Sequence, residues 1–295
     1  MYMKDFRRLK IAFLALFFAL TGISDVSATP SIDERILASG RRCVELVFEE
    51  RFTEAHQVAN RIIRDFPDSP AGYFFRAAVF HYQMLHLRNT AFEREFYEAC
   101  ARGTQIGENN RHLGCPWNDF FMAATIGVQG AFDRVQSRLV SSLRLATRAI
   151  EIFRELDESQ MPDVLYGTGV FDYWTGANAR LLWWMPGIRD NRQRGLANLE
   201  RVRRNGVFTR FIVNFDLMEM YANESRWSDV KRIANDVLRR YPSNTTALWA
   251  LFEAHDALRE NDERDAISAR IRENIEKTPN NENMLRHFQR RTRRH

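Results

Sequence analysis

Histidine, cysteine and tryptophan are the residues here whose spacing could support chemistry. His81 and His86 stand five apart, so they occupy different faces of a helix and cannot share a metal. Neither HExxH nor Cys-x-x-Cys occurs, and no Gly-rich phosphate loop or GxSxG elbow is present. Gly167-Thr-Gly169 has no strand before it and no lysine after it, so it reads as a close-packed helix stretch. The sequence therefore offers no catalytic set, no metal-ligand set and no cofactor motif. Glu108, His112 and Cys115 in one loop are the nearest approach to a metal site.

Two features remain. Cys100 and Cys115 bracket ARGTQIGENNRHLG, a polar, Gly-bearing segment that reads as a loop. A disulfide closing it would stabilise by roughly 3 kcal/mol in an oxidising compartment. Trp183-Trp184-Met-Pro-Gly-Ile-Arg189-Asp190 is the densest aromatic cluster. Adjacent helical positions point ~100° apart, so both indoles rarely bury on one face. With Arg189 and Arg192 they could form an aromatic, cationic pocket for a small ligand or glycan. The bland alternative is a helix end, with Asp190 capping the next helix and Gln193 completing a capping box.

These residues must be positioned by helices. Apolar residues recur with a 3.6-residue period throughout, and strand signals are nearly absent. The periodicity predicts thirteen helices, at about 32–49, 53–66, 69–88, 90–104, 117–130, 133–156, 163–182, 190–204, 207–223, 227–241, 244–260, 262–277 and 281–292. Residues 50–67 (ERFTEAHQVANRIIRDFP) and 225–242 (SRWSDVKRIANDVLRRYP) align without a gap at an offset of 175. Arg51/Arg226, Ala59/Ala234, Asn60/Asn235, Arg64/Arg239 and Pro67/Pro242 are identical. A small residue lets two helices approach, and the closing proline ends the second.

On these residues the chain resembles the tetratricopeptide repeat. Ala55 to Pro67 and Val230 to Pro242 fit that family's second helix, and Tyr221 fits the aromatic position of its first. The resemblance implies an all-α solenoid of antiparallel helix hairpins. It covers 29–83 and 206–280 well, and leaves 84–205 as a helical section of atypical spacing. First helices of the family line a concave groove. The groove candidates here are Phe74, Ala78 and His81, then Phe215, Glu219 and Ala222, then Trp249 and Glu253. The Lys and Asn of the family's carboxylate clamp are missing from these positions, which disfavours an acidic C-terminal tail as ligand and favours an apolar or extended segment.

Residues 1–28 carry a basic start, the apolar run Ile11–Leu20 and Val26-Ser27-Ala28 as a cleavage site, the order of a secretory signal. The run is too short for a membrane span. Residues 1–10 hold +3 of the net +5, and residues 281–295 form an Arg-rich tail. Without residues 1–10 and the five arginines beyond Asn283, residues 11–283 carry −3, so the basic pI gives no support to nucleic-acid binding. Membrane contact is expected only through the tail. Arginine outnumbers lysine 39 to 4, a skew that base composition alone can produce.

The sequence thus predicts a periplasmic or secreted scaffold, not an enzyme, that binds a protein or peptide partner. The second expectation is a small-ligand or glycan-binding component using Trp183, Trp184 and Arg189.

Overall fold

The computed structural model describes residues 32–180 and 189–292. Trp183 and Trp184 lie outside them. Thirteen helices and no strand account for the described chain. They are α1 (Glu34–Phe48), α2 (Phe52–Asp65), α3 (Ala71–Leu87), α4 (Glu93–Asn110), α5 (Pro116–Val135), α6 (Leu139–Arg154) and α7 (Val164–Ala177). The series continues with α8 (Arg192–Asn205), α9 (Thr209–Asn223), α10 (Trp227–Arg240), α11 (Thr245–Leu258), α12 (Asn261–Lys277) and α13 (Glu282–Thr292). None of them is long and apolar enough to cross a membrane.

The turns explain why these helices pair. Glu50, Arg88, Ser137, Ser225 and Arg259 all adopt positive φ just after an odd-numbered helix. In each case the following amide bonds back five residues, as from Arg51 to the Leu46 carbonyl, Arg138 to Asp133 and Arg226 to Tyr221. This is the Schellman ending, which satisfies carbonyls that a helix end otherwise leaves free. It recurs at Ser137, inside the section whose spacing departs from the repeat motif. The hairpin plan α1/α2, α3/α4, α5/α6 therefore runs on where the sequence motif fades.

The internal similarity extends to backbone angles. Arg51 (φ −91°, ψ 60°) and Arg226 (φ −87°, ψ 62°) precede α2 and α10 in one conformation. Phe66 (−137°, 65°) and Tyr241 (−128°, 76°) close those helices before Pro67 and Pro242, and a residue preceding proline is held out of the helical region. Ala55, Ala59 and Ala234 are fully buried at the close approaches.

One expected loop is a helix. α4 runs through most of the segment between Cys100 and Cys115, ending at Asn110. Its glycines are contact points, not breakers: a Cβ on Gly107 would meet the Met122 Cβ at 2.5 Å, and one on Gly103 would meet the Tyr73 Cβ at 3.0 Å. Polar residues between them face solvent. The disulfide expectation is overturned by the same helix. Cys100 is buried and Cys115 exposed, and both are free. The ten residues from Cys100 to Asn110 rise about 15 Å along the axis, whereas a bridge needs Cα atoms within about 7 Å.

The pair α7/α8 is packed backbone to backbone. A Cβ on Gly195 would lie 2.6 Å from the Gly169 carbonyl oxygen and 2.8 Å from the Tyr173 nitrogen, so the two backbones touch. Tyr173 is fully buried there, and its hydroxyl donates to the Met220 carbonyl at 2.9 Å while accepting from Asn223 at 2.8 Å. Asp163, just before α7, accepts from the Val207, Phe208 and Thr209 amides at 2.7–2.9 Å. It satisfies the N-terminal donors of α9 from a distant part of the chain.

The hairpins at the two ends meet. Phe48 of α1 stacks on Phe215 of α9 with ring centroids 4.3 Å apart, and it lies 5.2 Å from Tyr241. Asn244 donates to the Phe48 carbonyl at 3.0 Å, Glu50 accepts from the Thr245 amide, and Arg240 pairs with Glu45 at 2.7 Å. The tail also packs: α13 buries Met284 and Phe288, and Arg291 pairs with Glu253.

Candidate functional site

The residues expected along an open groove are engaged with the chain's own side chains. Phe74 sits against Phe75 and Phe121 at 5.1 and 5.7 Å. Phe215 is taken by Phe48. Trp249 packs between Phe252, His287 and Phe288 under the Arg88 guanidinium. His81 is 5% exposed among Tyr82, Phe96 and Phe132, and its Nδ1 has no partner. Burial, helped by the Arg134 charge, lowers its pKa to about 4, so the ring is neutral. Glu219 is exposed and meets Arg134, whose guanidinium lies 4.5 Å over the Trp174 ring. Arg189 is exposed.

Beside these residues lies a buried polar chain. The Tyr166 hydroxyl donates to Asp216 at 2.7 Å and is bonded to that of Tyr82. Burial raises the Asp216 carboxyl to about 6, against the opposing effect of the Tyr166 hydrogen bond. The three residues come from α3, α7 and α9, so the network ties the inner helices together.

At the next helix start, Asp190 accepts from the Arg192 amide at 3.3 Å, although Asn191 is the residue that precedes α8. Near α5, Glu108 pairs with Arg148, and His112 Nδ1 meets the Asn109 carbonyl at 2.8 Å. Neither is arranged for a metal, and no group of three metal-ligating side chains occurs among the described residues.

One open feature among the described residues is a cleft at the seam where the two ends meet. It measures about 200 Å³ and is lined by Phe48, Arg203, Arg204, Arg210, Phe211, Asn214, Asp236, Val237, Arg240 and Tyr241. Each wall has a local cause. Arg203 and Arg204 end α8, where basic side chains suit the helix dipole. Arg210 and Phe211 open α9, whose first amides are held by Asp163. Arg240 and Tyr241 end α10 before Pro242, and Phe48 ends α1.

Electrostatics distinguish the four arginines. Arg203 bonds Asn214 at 2.9 Å and pairs with Asp236. Arg240 pairs with Glu45 and lies 4.5 Å over the Phe211 ring, while Arg210 lies 4.9 Å over it. Arg204 and Arg210 make no ion pair among the described residues. Asp236, the only carboxylate in the lining, already serves Arg203 and Arg239. Tyr241 is 8% exposed, and its hydroxyl is buried without a partner.

Sequence reasoning missed this cleft. Its arginines fall at 203, 204, 210 and 240, in three helices, and an Arg-rich composition hides them. The available signal was the paired basic residues closing two alternate helices, Arg203-Arg204 in α8 and Arg239-Arg240 in α10, beside the aromatic Phe211 and Tyr241. The sequence matches no protein-family model and no curated protein.

Proposed function

We propose that the chain is an exported binding protein without chemistry of its own. Its helix hairpins form a tetratricopeptide-type array, and its recognition site is the cleft where the ends of that array meet. Residues 1–28 support export, and the Schellman turns after five odd-numbered helices support a repeated hairpin. One observation carries the choice of site. The expected groove aromatics are packed intramolecularly, whereas the seam keeps a cleft with unneutralised arginines and an unpaired buried hydroxyl. A cleft of this size favours a small ligand over an extended peptide, because drug-sized sites run to about 300–1,000 Å³.

The test is a thermal-shift screen of the mature chain against sugars, amino acids, organic acids, nucleotides and fatty acids. At least one class should raise Tm, and the rise should vanish in Phe211→Ala, with circular dichroism confirming that the variant folds. A protein partner pulled from envelope extracts and retained by Phe211→Ala would contradict the cleft as recognition site.

A further inference from the structure

The seam cleft holds more positive charge than the chain neutralises, and this narrows its occupant. We infer that the cleft binds a small organic anion, an oxyanion head group carrying a short apolar body. The inference rests on the reading of the seam as the recognition site.

Three independent features converge. The guanidinium groups of Arg204 and Arg210 have no carboxylate partner among the described residues, and the nearest acids, Asp236 and Glu45, are already paired. A planar guanidinium offers two parallel N–H donors, which matches the geometry of a carboxylate or phosphate. Two such groups beside low-dielectric walls attract an anion more strongly than they would in open water.

The second feature is the Tyr241 hydroxyl. A buried hydroxyl left unpaired costs about 1–3 kcal/mol. Tyr241 lines the cleft, and its O–H can donate to an anionic oxygen. Burial raises its pKa, which keeps the proton in place for that donation.

The third is the apolar wall. The half-buried Phe211 ring lines the space with the almost wholly buried Phe48 and Val237 behind it, so a bare ion would leave that ring in contact with water. The Arg210 and Arg240 guanidiniums both lie over the Phe211 ring, at 4.9 and 4.5 Å from its centroid, which keeps two cations beside it. The amides at the start of α9 are not available for the head group, because Asp163 accepts from them. Recognition therefore falls to the side chains.

Isothermal titration of the mature chain with four probes tests this: benzoate, phenyl phosphate, inorganic phosphate and the neutral benzamide. Benzoate or phenyl phosphate should bind at least about tenfold tighter than both benzamide and inorganic phosphate, and Arg204→Gln/Arg210→Gln should remove that preference. Both arginines are exposed, so the double variant should keep the wild-type Tm without ligand. Which aryl anion binds tighter identifies the head group. Equal binding of benzamide, retention of binding by the double variant, or inorganic phosphate alone matching the aryl anions would overturn the assignment. A neutral solute whose thermal shift disappears in Phe211→Ala would overturn the anion class while leaving the cleft as the site; solutes that ignore both variants would remove the cleft itself.

Discussion

Two buried titratable groups on neighbouring inner helices pull stability in opposite directions with pH. Asp216 has a folded pKa of about 6, above its ordinary value of 3.8. Its contribution is therefore fully present below pH ~4 and is lost as pH rises through 6. His81 has a folded pKa of about 4, below its ordinary value of 6.5. Its contribution is present above pH 6.5 and is lost as pH falls through 4. Between pH 4 and 6 the two slopes cancel in the wild type. Asp216→Asn keeps an acceptor for Tyr166 and removes the ionisation, so relative to wild type it should gain up to roughly 3 kcal/mol at pH 8 and nothing at pH 3.5. His81→Leu removes an unpaired ring nitrogen and should gain most near pH 4. Urea melts at pH 4, 6 and 8 measure both differences. A pH-independent difference in either variant would show that its group is ionised alike in folded and unfolded chains.

Helices were legible because each buries one face, and burial writes a 3.6-residue period into the sequence. All thirteen expected helices are found, most with ends shifted by a few residues. The errors have one physical source. Glycine marks both chain turns and close helix contacts, and composition cannot separate the two. Gly103 and Gly107 looked like a loop and are contact points of α4, whereas the close packing expected at Gly167-Thr-Gly169 is found in α7. The same reasoning yields a prediction. In Gly195→Ala the new methyl would meet backbone atoms of α7 at 2.6–2.8 Å, which no side-chain rotation relieves. The α7/α8 pair must separate, at a cost of about 2–4 kcal/mol, above the usual penalty for overpacking a flexible core. Alanine normally stabilises a helix interior relative to glycine, so a neutral or raised Tm would contradict backbone contact at this crossing.

At the scale of the whole molecule, the sequence identified the two similar hairpins but not their meeting. Residues 50–67 and 225–242 are alike because both hairpins obey the same local rules. That Phe48 stacks on Phe215, and Arg240 reaches Glu45, depends on the accumulated turn of every hairpin between them. No local pattern encodes that sum. The groove candidates lie on α3, α9 and α11, and Phe215 and Trp249 are packed there against the chain's own side chains. The seam is also where the cleft arises, since it joins surfaces shaped by separate helix ends. Trp183 and Trp184, around which a pocket was expected, lie outside the described residues.

The two ends of the array meet, and the proposed recognition cleft is their seam. A crystal structure of the mature chain grown with 4-bromobenzoate, measured at the bromine absorption edge, tests both halves at once. One bromine peak should lie in the cleft, against Phe211, with the carboxylate toward Arg204, Arg210 and the Tyr241 hydroxyl. Phe48 and Phe215 should be stacked in the same crystal. An array with those rings apart, or bromine bound only elsewhere, would contradict the seam as recognition cleft.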